Sequence, residues 1–64
     1  MGKDIEQFFN LNDYERGIVW RAAKAGNSPM THTLFQLYFP QLSHDQIRIL
    51  IRDVGTVDNE RVPA

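Results

Sequence analysis

Two arginines and an isoleucine in the segment QLSHDQIRILIRDVG, residues 41–55, offer the clearest chemistry in this sequence. Arg48 and Arg52 are four residues apart, so on a helix they share one face, and Ile49 lies between them. A guanidinium can bond a guanine edge or a phosphate, and an aliphatic side chain can contact a thymine methyl group. DNA-reading helices also tend to touch bases with their first residues. The residues predicted to contact DNA are therefore His44, Gln46, Arg48, Ile49 and Arg52.

Ordinary surface roles for the same residues remain open. Asp45 and Asp53 could pair with the two arginines, and such exposed helix pairs contribute only ~0.3–0.5 kcal/mol each. Single exposed apolar side chains are common, so Ile49 is informative only through its place between the arginines. Three upstream basic residues could contact phosphates or simply face solvent: Arg16, Arg21 and Lys24.

The composition of the 64 residues bounds the class of protein. Seven basic and eight acidic residues give a net charge of −1, which weakens a nucleic-acid interpretation because strong binders usually carry a basic excess. There is no cysteine, and His32 and His44 lie twelve positions apart without a carboxylate cluster, so we expect no disulfide, metal or cofactor. No catalytic triad order, phosphate loop or paired-carboxylate pattern occurs, so we do not expect an enzyme.

The sequence says less about the cellular compartment and the oligomeric state of the protein than about its class. No apolar run approaches the ~20 residues of a membrane span, and the N-terminal MGKDIEQFF does not resemble a secretory signal, so a cytoplasmic protein is expected. A chain this short buries only ~60% of its unfolded surface, and without disulfides or metals we expect a homodimer to add stability. Such a chain cannot hide every aromatic side chain. The candidates for a protein interface are Phe8, Phe9, Trp20 and Phe39.

The last predicted helix, residues 43–54, has the clearest pattern. Ser43 and Gln46 form an S-x-x-Q capping box, and Gly55 ends the helix. Apolar residues at i, i+3, i+4 and i+7 predict the buried stripe: Ile47, Leu50, Ile51 and Val54. The tail, residues 56–64, is predicted as coil, with a short hairpin over residues 56–62 as an alternative.

Three upstream segments are also predicted as helices, and none as a strand. A short helix covers residues 4–9, and a second runs to residue 25 between the N-cap Asn12 and the terminating Gly26. The third begins at Pro29 with Ser28 as its cap, or at Thr31, and stops before Pro40. We predict one all-α domain of three to four helices, with an N-terminal strap (1–10), a tri-helical core (11–55) and a C-terminal tail (56–64).

The spacing of apolar residues also predicts buried faces for the second and third helices. In the second, one stripe contains Tyr14, Ile18, Ala22 and Ala25, widened by Val19. Trp20 lies off this stripe and is assigned to a place under the N-terminal strap or in a dimer interface. In the third, a broad apolar surface is formed by Leu34, Phe35, Leu37 and Tyr38.

The stretch LSHDQIRILIRDV resembles the second half of helix-turn-helix domains of the LuxR and sigma-region-4 kind. The positions that match are Leu42, Ser43, Ile47, Leu50, Ile51 and Val54. Upstream, LNDYERGIVWRAAKAG is similar to the opening helix of these domains, whereas TLFQLYFPQLS is longer than their central turn. The resemblance spans residues 11–55. It implies that residues 43–54 read duplex DNA, with 31–39 as supporting helix and 12–25 as scaffold.

A second resemblance suggests a protein-interaction module. The stretch LYFPQLSHDQIRILIRDVGTVD is similar to the first two helices of a CUE ubiquitin-binding domain. Phe39 and Pro40 match the Phe-Pro of that family, Tyr38 stands in place of its Met, and Gly55 fits the glycine before its third helix. The segment NERVPA has no counterpart of that helix. An inhibitor or adaptor that binds a protein partner through the same apolar and arginine face is therefore the alternative function.

Overall fold

The chain folds into four helices in a computed structural model that describes residues 3–58. The helices are α1 (Ile5–Phe9), α2 (Asp13–Lys24), α3 (Pro29–Tyr38) and α4 (His44–Gly55). No strand occurs within residues 3–58, so the predicted all-α class is confirmed. None of the helices in this part of the chain is long and apolar enough to cross a membrane.

Helix α4 forms as its sequence pattern predicts. The Ser43 hydroxyl accepts a hydrogen bond from the Gln46 N–H (3.2 Å), and the Gln46 side chain accepts one from the Ser43 N–H (2.8 Å), which completes the capping box. The predicted stripe is fully inside the core: Ile47, Leu50, Ile51 and Val54. Gly55 is the last helical residue, and Thr56 caps the end.

The predicted boundaries of the middle helices are also close to those observed. The Asn12 side chain accepts from the Glu15 N–H at the start of α2, and Gly26 follows its end with a φ of 117°. Ser28 caps α3 with Pro29 as its first residue, so the alternative start at Thr31 is wrong.

The predicted buried face of α2 is partly wrong. Tyr14 is 76% exposed and Ala25 is also exposed, whereas Val19 is buried as predicted and Ala22 packs against the core. Ala23, which was not predicted, is buried as well. Trp20 lies on the buried side, where its indole N–H donates to the Val57 carbonyl (3.0 Å). Apolar side chains surround most of α2, so spacing alone does not single out one buried side. The large ring of Trp20 and its hydrogen bond favour the face that was not predicted.

Only part of the broad apolar surface predicted for α3 is buried. Phe35 is fully enclosed and Thr31 is 5% exposed, with the Thr31 hydroxyl donating to the Ala22 carbonyl (3.2 Å). Leu37 is 75% exposed, which corrects its assignment to the core. Residues 35 and 37 lie about 200° apart around a helix, so a helix packed on one side cannot bury both.

Two of the four proposed interface aromatics belong to the core. Phe8 and Phe39 are almost completely enclosed, so they are core residues and not interface residues in this fold. Phe9 is half-buried with its ring edge against Phe8 (centroids 5.1 Å apart). Val57, the second residue of the predicted tail, is also buried and belongs to the core. The alternative hairpin over residues 56–62 lies mostly outside the described residues.

Candidate nucleic-acid interface

The outward face of α4 carries the residues that the sequence analysis placed there. Because the stripe on the opposite side faces the core, Arg48 and Arg52 point outward, with side chains 62% and 71% exposed. Ile49 is 45% exposed between them. We call these three residues, Arg48, Ile49 and Arg52, the α4 face. It presents two cations and one aliphatic group along about one and a half turns of a helix.

Acidic neighbours partly neutralise the positive charge of both arginines. An Arg48 Nη2 lies 3.6 Å from Asp45 Oδ1, and an Arg52 Nη2 lies 3.4 Å from Asp53 Oδ1. The predicted ion pairs are therefore present. The Arg48–Asp45 pair is long and exposed on both sides, so it adds little stability, and a phosphate could draw Arg48 away from Asp45 at small cost. Asp53 is buried, so Arg52 also serves to neutralise a carboxylate inside the fold.

A groove of about 630 Å³ runs beside the α4 face, between α4 and the end of α2. It contains apolar groups from Ala23, Ile49 and Ile51, while Arg48 and Arg52 contribute the charge. Gly55 also lines the groove, and a Cβ at this position would meet the Ala23 carbonyl at 3.8 Å, an ordinary contact distance. Because its lining is apolar with two arginines, the groove can accept a group that is apolar in the middle and anionic at its edge.

Two histidines that are distant in sequence meet at the edge of the α4 face. His32 Nε2 and His44 Nδ1 are 3.0 Å apart, at hydrogen-bonding distance, and the ring centroids are 4.0 Å apart. Both line a second groove of about 410 Å³, which shares Asn27 and Arg48 with the first. Sequence reasoning missed this pair because only the turn at Pro40 brings the starts of α3 and α4 together. Residues 3–58 contain no group of three or more potential ligands that could hold a metal ion.

The remaining predicted contacts differ in how free their side chains are. His44 is exposed but engaged with His32. Gln46 is exposed, and its side-chain oxygen is used by the capping box. Arg48 and Arg52 are the two cations among the predicted base contacts, and both side chains are mostly exposed.

Arg16 has a structural role that its sequence position did not reveal. Its guanidinium donates to the Phe9 and Leu11 carbonyls (3.2 and 2.9 Å) and contacts Asp13 (2.6 Å). The side chain is only 16% exposed, so the guanidinium holds the corner between α1 and α2. This corrects its assignment as a phosphate contact. Arg21 and Lys24 are exposed.

Comparison with known proteins assigns no family to this chain, since no family model, curated protein or solved structure matches it. The resemblances to helix-turn-helix and CUE domains therefore stay predictions. The residues that would correspond to a third CUE helix, from 59 onward, lie outside the described part of the chain.

Proposed function

We propose that this protein is a small DNA-binding regulator of transcription, acting in the cytoplasm, that reads duplex DNA with the α4 face. The observation that carries the proposal is the exposure of Arg48, Ile49 and Arg52 on a helix whose other side is completely buried. These residue types suit a major groove, where guanidinium groups meet guanine edges or phosphates and an aliphatic group meets a thymine methyl.

The packing of α4 supports the same role. It packs against α1, α2 and α3, so a rigid scaffold holds it from behind. A helix with its side chains is about 10–12 Å in diameter and the major groove is ~12 Å wide, so α4 has a cross-section that can enter the groove. The starting residues of α4, where DNA-reading helices usually touch bases, are exposed.

The charge of the chain limits the strength of such binding. A net charge of −1 leaves little general attraction to phosphates, so a single copy should bind DNA weakly and with a modest salt dependence. Useful affinity would then require two copies on two half-sites, as in other dimeric helix-turn-helix regulators. The proposal therefore includes a homodimer.

The test is fluorescence anisotropy of a labelled duplex of mixed sequence, titrated with protein at low salt. The double variant Arg48→Ala/Arg52→Gln should lose at least tenfold in affinity, and the slope of log affinity against log salt should fall by roughly two. Glutamine at position 52 keeps a hydrogen-bond donor near Asp53. Lys3→Ala removes an exposed cation far along the sequence from α4 and serves as the charge control.

Two results would contradict the proposal. Absence of binding by the wild type at low salt excludes DNA as the ligand of the α4 face. The second result is an equal loss of affinity per charge removed in the double variant and in Lys3→Ala. It would mean that general charge, and not the α4 face, attracts the duplex.

A protein partner is the second candidate for the same face. The observation in its favour is the groove in which Ile49 lies beside Ala23 and Ile51, because an apolar floor with arginines at its edge also suits an acidic, apolar peptide segment. The two functions differ in which residue of the α4 face contributes most to binding. Ile49→Ala should weaken a protein contact more than it weakens DNA binding, whereas the arginine variant should do the reverse.

A further inference from the structure

Helix α3 exposes an apolar stripe that nothing within residues 3–58 covers. Met30 is 82% exposed and Leu37 is 75% exposed, and the half-buried Leu34 lies between them. The three residues are spaced i, i+4 and i+7, so they follow one side of α3 from its first turn to its last. Together with Pro29 and Thr33 they line a shallow groove of about 490 Å³. We call Met30, Leu34 and Leu37 the α3 stripe.

The segment that carries the α3 stripe has no formal charge. No Asp, Glu, Lys or Arg occurs between Lys24 and Asp45, so α3 and the turns on both sides of it carry none. The α4 face differs, because Arg48 and Arg52 would approach their own copies if that face paired with itself. The α3 stripe shares no residue with the α4 face.

We infer that the α3 stripe is the contact surface of a homodimer, in which α3 of a second copy of this chain packs on it. A twofold interface uses the same patch on both subunits, so the patch must complement itself. An uncharged apolar stripe meets its own copy without any like-charge contact. Side chains spaced i, i+4 and i+7 can also interdigitate with an identical row on a facing helix.

The size of the α3 stripe sets the strength of the dimer. A ten-residue helix is about 15 Å long, so two paired α3 helices bury less than the ~1,200 Å² typical of stable interfaces. A contact this small is at the low end of specific interfaces, so the dimer should be weak. The inference names a contact surface for the homodimer that the proposed function includes, but it does not depend on what the α4 face binds, because the association needs no DNA.

Sedimentation equilibrium of the pure protein without DNA tests the inference. Between about 5 µM and 1 mM, the wild type should change from mostly monomer to mostly dimer. Leu37→Glu should weaken association at least tenfold, because it places two like charges in the contact. The matched control is Gln36→Glu, which adds the same charge at the neighbouring exposed position but off the α3 stripe, and it should dimerise like the wild type. Circular dichroism of both variants checks that the fold is retained.

Two results would overturn the inference. A wild type that remains monomeric at about 1 mM would mean that the α3 stripe does not pair with its own copy. Equal dimerisation of Leu37→Glu and Gln36→Glu would place the dimer contact elsewhere on the molecule. Met30→Glu, at the opposite end of the stripe, repeats the test at a second exposed position if Leu37→Glu fails to fold.

Discussion

The α4 face and the α3 stripe both expose aliphatic side chains, but they differ in the charges around them. Ile49 lies between two arginines on a helix with an acidic residue in its first turn. Met30 and Leu37 lie on a helix without any formal charge. Burial of either surface would be favourable, yet a second copy can cover only the uncharged one without repulsion. The comparison teaches that neighbouring charge, and not exposed apolar area alone, indicates which kind of partner a surface suits.

The largest expected effect is on the free energy of unfolding, and it distinguishes the buried side of α3 from the exposed side. Phe35→Ala removes a fully enclosed ring and should lower the free energy of unfolding by about 3–5 kcal/mol, because it leaves a cavity in the core. Leu37→Ala, two residues along the same helix, should change it by less than about 0.5 kcal/mol at concentrations where the protein is monomeric. Urea denaturation followed by circular dichroism measures both. Similar losses for the two variants would show that Leu37 contributes to the core.

A smaller effect is expected at Ser43, the cap of α4, which belongs neither to the α4 face nor to the α3 stripe. Ser43→Ala removes the hydroxyl that accepts from the Gln46 N–H, and it should lower the free energy of unfolding by about 1 kcal/mol. The folded variant should keep its affinity for DNA and its tendency to dimerise. If either property is lost while the protein is still folded, the account of two independent surfaces is wrong. Thermal unfolding together with the anisotropy assay provides the comparison.

The smallest effect concerns the charge on the α4 face itself. Asp45→Asn removes the acidic partner of Arg48 and should cost only about 0.3–0.5 kcal/mol of stability, because the ion pair is exposed and 3.6 Å long. It also makes the α4 face more positive, so affinity for DNA should rise about two- to fivefold at low salt. Unchanged or weaker DNA binding by the folded variant would contradict a role for Arg48 in contacting the duplex.

The sequence predicted α4 well because all its local signals agree. The capping box, the stripe of four aliphatic residues and the polar opposite face point to one helix in one orientation. The exposure of Ile49 follows directly from that orientation. The four helices and most of their ends could likewise be predicted, since caps and prolines act over a few residues.

The faces of α2 and α3 could not be predicted in the same way. Both helices carry apolar side chains around much of their circumference, so periodicity does not single out one side. In α2 the choice depends on the hydrogen bond from Trp20 to Val57, which is 37 residues away. The meeting of His32 and His44 likewise depends on how α3 and α4 turn at Pro40, and no local signal reports that geometry.

The central claim, that the α4 face binds DNA, is tested most directly by NMR titration of ¹⁵N-labelled protein with a mixed duplex at low salt. Amide shifts should move progressively at residues 44–52, and the effect should diminish as salt is added. Without DNA, raising the protein concentration should move amides at residues 30–37 instead. DNA-induced shifts that spare α4, or no shifts at all, would contradict the account and leave the α4 face as a surface for a protein partner.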